Sequence, residues 1–152
     1  MSVRDDVNSL LEHLAGILEC GALALDDNLV AMLGLEEDMG AVFYGQEGNN
    51  AGAVIISVVA GRPDPEDAEL LYDLMCANYM WNASGNGTLG IDAESGLLTV
   101  QRLVELPLSP QVFTELFAEL VGAARHWRGR ILSQNGQGGL SVEMQMTNLM
   151  RV

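Results

Sequence analysis

Few residues of this chain have the type and spacing that catalytic chemistry requires. The two histidines, His13 and His126, lie far apart, and the two cysteines, Cys20 and Cys76, form neither a Cys-x-x-Cys pair nor a cluster with histidine. An isolated imidazole or thiol lacks the base, orienting partner or second ligand that a catalytic or metal site needs. We therefore expect structural or surface roles for both histidines and a core position for Cys76.

Motifs for nucleotide, cofactor and metal chemistry are also missing from the sequence. The chain contains no GxxxxGK[ST], no GxGxxG that opens a helix and no HExxH, and it has no lysine. The acidic run Glu36-Glu37-Asp38 lacks EF-hand spacing, which favours a solvated turn over a calcium site. We expect no enzymatic activity, no cofactor and no bound metal. A small hydrolase or ligand-binding α+β domain remains an alternative, because pockets can form without named motifs.

The composition combines high apolar content with a strongly acidic charge. Hydrophobic residues make up 49% of the 152, whereas 7 Lys+Arg face 21 Asp+Glu, a formal net charge of −14. Such a chain can bury a core, but it would be repelled by nucleic acid and by anionic membranes. A basic or neutral polypeptide is the favoured partner. The absence of a secretory leader and the scarcity of cysteine favour a cytoplasmic protein with reduced thiols.

Apolar residues with helical spacing predict a helix near each end of the domain. Those from Val3 to Leu18 fall within an arc of about 120°, and Cys20-Gly21 should end this first helix. Ser109-Pro110 supplies the capping residue and proline that start the last helix. Three arginines near the end of that helix are expected to complement the negative end of its dipole: Arg125, Arg128 and Arg130.

Short β-like runs separated by polar turns fill the intervals between the helices. Four runs follow the first helix, at residues 22–25, 29–35, 41–44 and 53–59, and residues 88–91 and 97–105 flank a turn as a hairpin. The prediction is an α+β fold with an antiparallel twisted sheet and three helices. We expect one domain over residues 1–131 and a flexible tail over 132–152, in which Leu140, Val142, Met144 and Met146 alternate with strand-like spacing.

The middle helix carries apolar residues on well over half of its circumference. Asp64 as N-cap and Pro65 in the first turn predict its start, and it should run to about Asn82. A helix this apolar needs two apolar neighbours. In so short a chain, we expect one neighbour to be the sheet and the other to be the same helix of a second subunit. We therefore predict a homodimer with an interface around Leu74, Tyr79 and Trp81.

Several motifs stand close together in the centre of the chain: LMCANYMW at 74–81, a Gly/Asn turn, TLGID at 88–92, GLLTV at 96–100 and LPL at 106–108. Together they resemble the corresponding block of class I type III secretion chaperones, the family of the Tir chaperone. The resemblance covers roughly residues 1–131. It implies an α-β-β-β-α-β-β-α homodimer in the bacterial cytosol.

The resemblance also implies a function. A chaperone of this class binds the N-terminal region of a secreted effector in extended form and keeps it soluble and secretion-competent, without hydrolysing ATP. A partner-switching variant, which also binds an anti-activator and so regulates secretion-gene transcription, stays open.

The resemblance places effector contacts on the first helix and the adjoining sheet. Strand alternation separates Val30 and Met32 from Leu33 on the opposite face, and we favour Val30 and Met32 for the groove. The matching apolar positions are Leu10, Leu14, Ile17, Leu25, Val30, Met32 and Leu33.

Overall fold

Three α-helices and five strands make up the part of the chain that the computed structural model describes, residues 2–36 and 38–134. A 3-10 turn, Tyr79–Trp81, follows the second helix. The predicted α+β element order is confirmed. The elements are α1 (Val3–Leu18), β1 (Val30–Gly34), β2 (Gly40–Gln46), β3 (Ala53–Gly61), α2 (Ala68–Asn78), β4 (Thr88–Ile91), β5 (Leu98–Glu105) and α3 (Pro110–Gln134).

The five strands form one antiparallel sheet in the order β1-β2-β3-β5-β4, so β1 and β4 are the outer strands. Val54, Ile56 and Val58 of the central β3 are fully buried on one face. Phe43 of β2 packs on that face against Phe113 and Phe117 of α3, with ring centroids 6.0 and 5.7 Å apart. Because strand side chains alternate, this core face leaves a second, outer face on the sheet.

The segment before β1 is not the strand that the sequence predicted. Residues 22–25 pair with no strand; instead, the Leu25 N–H donates to Asn8 Oδ1 at 2.8 Å, and the Leu25 carbonyl accepts from Arg4 Nη1 at 3.0 Å. Side chains of α1 therefore make the hydrogen bonds to the Leu25 main chain that a neighbouring strand would otherwise make. The other predicted runs correspond to β1 to β5.

α2 begins later and ends earlier than predicted. Asp67 is its N-cap, accepting from the Leu70 N–H at 3.0 Å, whereas Asp64 closes the preceding turn by accepting from the Glu66 N–H at 2.9 Å. The helix ends at Asn78, because Met80 has a φ of 54°, a left-handed conformation that an α-helix cannot continue.

Two of the three arginines of α3 pair with side chains of other elements, and none of the three lies in the last turn of the helix, which corrects the predicted role at the helix dipole. Arg125 Nη2 lies 2.7 Å from Glu36 Oε1, and Arg130 Nη2 lies 2.8 Å from Asp73 Oδ2. Both ion pairs join α3 to its neighbours, one at the β1–β2 turn and one at α2. Arg128, on the same helix, lines a cavity together with Asp38.

The boundary between domain and tail at residue 131 stays a prediction. Residues 132–134 continue α3, and residues 135–152, with their alternating apolar positions, lie outside the described residues. No described helix is long and apolar enough to cross a membrane.

Candidate functional site

The outer edge of β1 faces away from the rest of the sheet. The Gly45 N–H donates to the Leu29 carbonyl at 2.8 Å, and the Leu35 N–H donates to the Met39 carbonyl at 3.1 Å. These bonds fix the alternation of the antiparallel ladder, so the odd-numbered residues of β1 bond to β2. The main-chain groups of the even-numbered residues point outward.

One end of this edge is closed by a turn. Asp26 accepts from the Val30 N–H through Oδ1 at 3.0 Å, and its own N–H donates to the Val30 carbonyl at 2.8 Å. The amides and carbonyls of Met32 and Gly34 therefore form the open part of the edge. The Met32 side chain is 71% exposed beside them.

The opposite edge of the sheet, at β4, is closed at Leu89 by a side chain. Asn78 Oδ1 accepts from the Leu89 N–H at 2.8 Å, and Asn78 Nδ2 donates to the Leu89 carbonyl at 2.9 Å. A strand at an uncovered edge invites pairing with another chain. Of the two outer strands, β1 is thus the better candidate for strand addition.

Three of the predicted effector contacts are core residues of the protomer instead. Leu10, Leu14 and Leu25 are all buried, because the apolar stripe of α1 and the loop after it pack into the core. Burial corrects this part of the predicted site. Ile17 and Met32 are exposed and Val30 is half-buried, so these three stay candidates.

Met32 begins an exposed apolar surface on the outer face of the sheet. The strand register pairs Met32 with Val42, Tyr44 with Ile55, and Ile55 with Leu103. Cross-strand partners share a face, so these side chains lie on one side of the sheet. We call this set of five the outer sheet surface.

α2 and the 3-10 turn after it present a second apolar surface, with Tyr72, Met75, Tyr79, Met80 and Trp81 all more than half exposed. We call these five residues the α2 surface. Leu74, the third predicted interface residue, is 6% exposed and belongs to the core, which corrects that assignment.

Cys76 is exposed on α2, so the predicted core position is wrong. The apolar residues of α2 cover well over half of its circumference. Periodicity therefore could not show which side of the helix packs against the rest of the protomer.

The two apolar surfaces adjoin. Trp81 lines a cavity of about 660 Å³ together with Ile55 and Leu103 of the outer sheet surface. Thr88 and Gln101 supply part of its polar lining. Arg102 also lines this cavity, so a partner that covers α2 and extends over the sheet meets one charged residue at this point.

The described residues contain no group of three or more His, Cys, Asp or Glu that could hold a metal ion. His13 is exposed, and His126 is half-buried with its ring edge-on to Trp127 at 5.0 Å between centroids. Burial, and secondarily the nearby Arg130 guanidinium, lower the pKa of His126 from its ordinary 6.5. The imidazole is therefore neutral at pH 7 and packs as a structural side chain.

The sequence did not predict which residues close the sheet edges or which leave them open. The Asp26-Asp27-Asn28 run gave a turn signal, and Asp26 Oδ1 does accept from the Asn28 N–H at 2.8 Å. Nothing in the sequence linked that turn to Val30. Asn78 and Leu89 are separated by a whole turn region, so their contact had no local signal either.

The sequence comparison gives the family. Residues 9–128 match the model of the Tir chaperone protein (CesT) family. The chain belongs to this family. The prediction of a type III secretion chaperone, made from the central motifs, is thereby confirmed. Among proteins with curated descriptions, none matches the chain in sequence.

Solved structures show the same fold at low sequence identity. The ExsC-ExsE complex matches with a TM-score of 0.73 and 20% identity, over 86% of this chain and 97% of that chain. The HopA1-SchA chaperone-effector complex matches with a TM-score of 0.65 and 18% identity, over 80% and 92%. The type III secretion chaperone SycH of Yersinia pestis, in complex with a stable fragment of YscM2, matches with a TM-score of 0.58 and 16% identity, over 77% and 95%.

Proposed function

We propose that the protein is a homodimeric cytoplasmic chaperone that binds an extended segment near the N-terminus of a secreted effector. It keeps that segment soluble and ready for type III secretion. Family membership supports the general role, and a chaperone-effector complex is among the structures that share the fold. The observation that carries the proposal is the open edge of β1 at Met32 and Gly34.

An extended segment beside β1 would form main-chain hydrogen bonds with Met32 and Gly34. Its side chains would alternate between the two faces of the sheet, and those on the outer face would contact Met32 and Val30. Each apolar side chain that such contacts fully bury contributes roughly 1.5–3 kcal/mol. Main-chain bonds are independent of sequence, so specificity would come from these side-chain contacts.

The net charge of the chain would favour some effector segments over others. The chain carries a formal net charge of −14, and a field of that sign attracts basic segments and repels acidic ones. The same field keeps copies of the chaperone from associating non-specifically. We therefore expect the bound effector segment to be neutral or basic.

The α2 surface is the proposed dimer interface. A contiguous set of large apolar side chains, each more than half exposed, is typical of a protein interface. In a twofold dimer each protomer supplies the same surface, so Tyr79 and Trp81 of both copies would be covered. Cys76 would be covered with them.

This role requires binding and release but no turnover, metal or cofactor. His126 packs edge-on against Trp127, and the exposed His13 belongs to no group of three or more potential metal ligands among the described residues. An anti-activator as a second partner stays a prediction, since no feature of the described residues separates it from an effector.

Capture of partners from the native bacterium tests the proposal. The tagged full chain should retain a secreted protein through its N-terminal region, identified by mass spectrometry. Val30→Asp combined with Met32→Asp should abolish capture while leaving helical content and dimer mass unchanged. Gln111→Asp combined with Val112→Asp, an equally acidic change at two exposed positions of α3, is the control. Unchanged capture by the double variant would refute the assignment to β1.

A further inference from the structure

Ser57 lies in the middle of the sheet, on the outer face of the central strand β3. Its chain neighbours Ile56 and Val58 are fully buried on the core face, and strand side chains alternate between the two faces. The strand register places Ser57 between Val42 of β2 and Gln101 of β5. Both of these side chains are longer than that of serine, so the Ser57 hydroxyl lies low between them.

A cavity of about 670 Å³ opens over this serine on the outer face. Apolar side chains, hydroxyl groups and one amide line it, and Asp92 is the one charged residue among the described residues of its lining. Asp92 lies in the β4–β5 turn, where its Oδ2 accepts from Ser95 Oγ at 2.7 Å. This hydrogen bond lowers the pKa of Asp92, which therefore stays ionised at neutral pH.

The Ser57 hydroxyl has no hydrogen-bond partner within the described part of the chain. Ser57 is 4% exposed, yet no hydrogen bond joins its Oγ to another described residue, and the atom keeps contact with the cavity. Ser84 is also buried, but its Oγ donates to the Gly87 carbonyl at 2.6 Å. Buried polar groups are almost always paired, because an unpaired one costs free energy. A partner for Ser57 can reach it through the cavity.

The cavity is continuous with the edge at which the effector segment is proposed to bind. Met32 of β1 pairs with Val42, which lines the cavity, and Val42 pairs with Ser57. Ser57 therefore lies two strands inward from β1, at a distance of about 10 Å. A segment that leaves the outer edge of β1 needs about five extended residues to reach it. The three side chains under this path are uncharged.

The lining of the cavity limits which effector side chain can lie against Ser57. A carboxylate would be repelled by Asp92, and an ammonium or guanidinium group would lose its hydration at the uncharged floor. A purely apolar side chain would leave the Ser57 hydroxyl unpaired. An amide or hydroxyl group is uncharged and can form a hydrogen bond with Ser57, so it meets all three conditions.

We infer that the effector segment continues from β1 over the outer face and places one Asn, Gln, Ser or Thr side chain in this cavity, hydrogen-bonded to Ser57. The inference rests on the proposed function, because the same segment occupies the β1 edge. Main-chain bonds at β1 accept any sequence, whereas the cavity selects one class of residue. That residue follows or precedes the part of the segment paired with β1 by about five positions.

Calorimetry with a synthetic peptide of the captured N-terminal segment tests this inference. Ser57→Ala should weaken binding about fivefold, because it removes the hydrogen bond. Ser57→Thr keeps a hydroxyl and Ser57→Val is its isosteric control, so the Thr variant should bind more tightly than the Val variant. One Asn, Gln, Ser or Thr of the peptide should lose a similar factor on change to Ala with the unmodified chain, and little with Ser57→Ala.

Equal affinities of the unmodified chain and Ser57→Ala would overturn the inference, as would a loss that couples to no uncharged polar residue of the peptide. A dimer mass that changes in Ser57→Ala would place a second copy in the cavity, which shares Thr88 and Gln101 with the cavity that Trp81 lines, and would also overturn it. Capture by the unmodified chain tests the proposed function by itself, so the two failures are distinguishable.

Urea denaturation without effector tests the unpaired state of the hydroxyl. Ser57→Ala should leave the midpoint unchanged or raise it, because no hydrogen bond within the protomer is lost. Ser84→Ala should lower the midpoint, since it leaves the Gly87 carbonyl without its partner. A midpoint that falls as far in Ser57→Ala as in Ser84→Ala would show that the Ser57 hydroxyl is bonded within the protomer and would overturn the inference.

Discussion

Asn78 supplies Leu89 with both hydrogen bonds that a neighbouring strand would make, at 2.8 and 2.9 Å, through one carboxamide. The residue is also the last of α2, so its carboxamide joins the end of this helix to the β4 edge. This asymmetry between the two sheet edges directs strand addition to β1.

Asn78→Ala should destabilise the fold by about 1–3 kcal/mol, because it leaves the partly buried amide and carbonyl of Leu89 without partners. Urea denaturation measures the loss. Asn82→Ala, an exposed asparagine shortly after α2, is the matched control and should change stability little. Equal stability of the Asn78→Ala variant and the unmodified chain would show that water replaces the carboxamide at no cost.

Dimerisation should respond differently to two acidic substitutions, one in α2 and one in the turn that follows it. Tyr79 is 77% exposed in the protomer, so Tyr79→Asp should yield a folded monomer. Leu74 is buried, and Leu74→Asp should unfold the protomer because it buries an unpaired charge. Light scattering and circular dichroism together separate the two results. A Tyr79→Asp variant that keeps a dimer mass would place the interface elsewhere.

Stability should fall in mild acid through His126. Its pKa is lowered in the folded state, so below pH 6.5 His126 binds a proton more readily in the unfolded chain than in the folded one. The destabilisation begins at about the unfolded value and grows as the pH drops towards the lowered one.

His126→Gln removes this one titration while other groups still titrate. Between pH 7.5 and 5.5, urea denaturation should therefore show the variant losing less stability than the unmodified chain. Parallel losses in the two proteins would contradict a lowered pKa. His13→Gln, at an exposed histidine, is the control.

Local signals in the sequence were sufficient for much of the fold. Ser109 does start α3, since its Oγ accepts from the Val112 N–H at 3.2 Å, and the 88–105 hairpin forms where turn residues predicted it. Both features depend on residues close in sequence. The start of α2 was displaced because Asp64 and Asp67 are both competent caps, and Asp64 is used by the preceding turn.

The candidate site could be predicted only in part. Periodicity located the apolar stripe of α1, but the same stripe packs on α3 and the sheet, so Leu10 and Leu14 are unavailable to a partner. Met32 was placed correctly on the face opposite Leu33 because strand alternation is a local property. Closure of one edge by Asn78 depends on tertiary contact, which no spacing rule reveals.

The most direct test of the account is the affinity of the captured effector's N-terminal peptide for Met32→Pro, measured by calorimetry. Proline removes the outward N–H of Met32 but no bond to β2, and an outer strand tolerates it. Met32→Ala keeps that N–H and removes only the side chain. Strand addition predicts that Met32→Pro binds more weakly than Met32→Ala, by about fivefold or more, at unchanged dimer mass. Equal affinities of the two variants would contradict it.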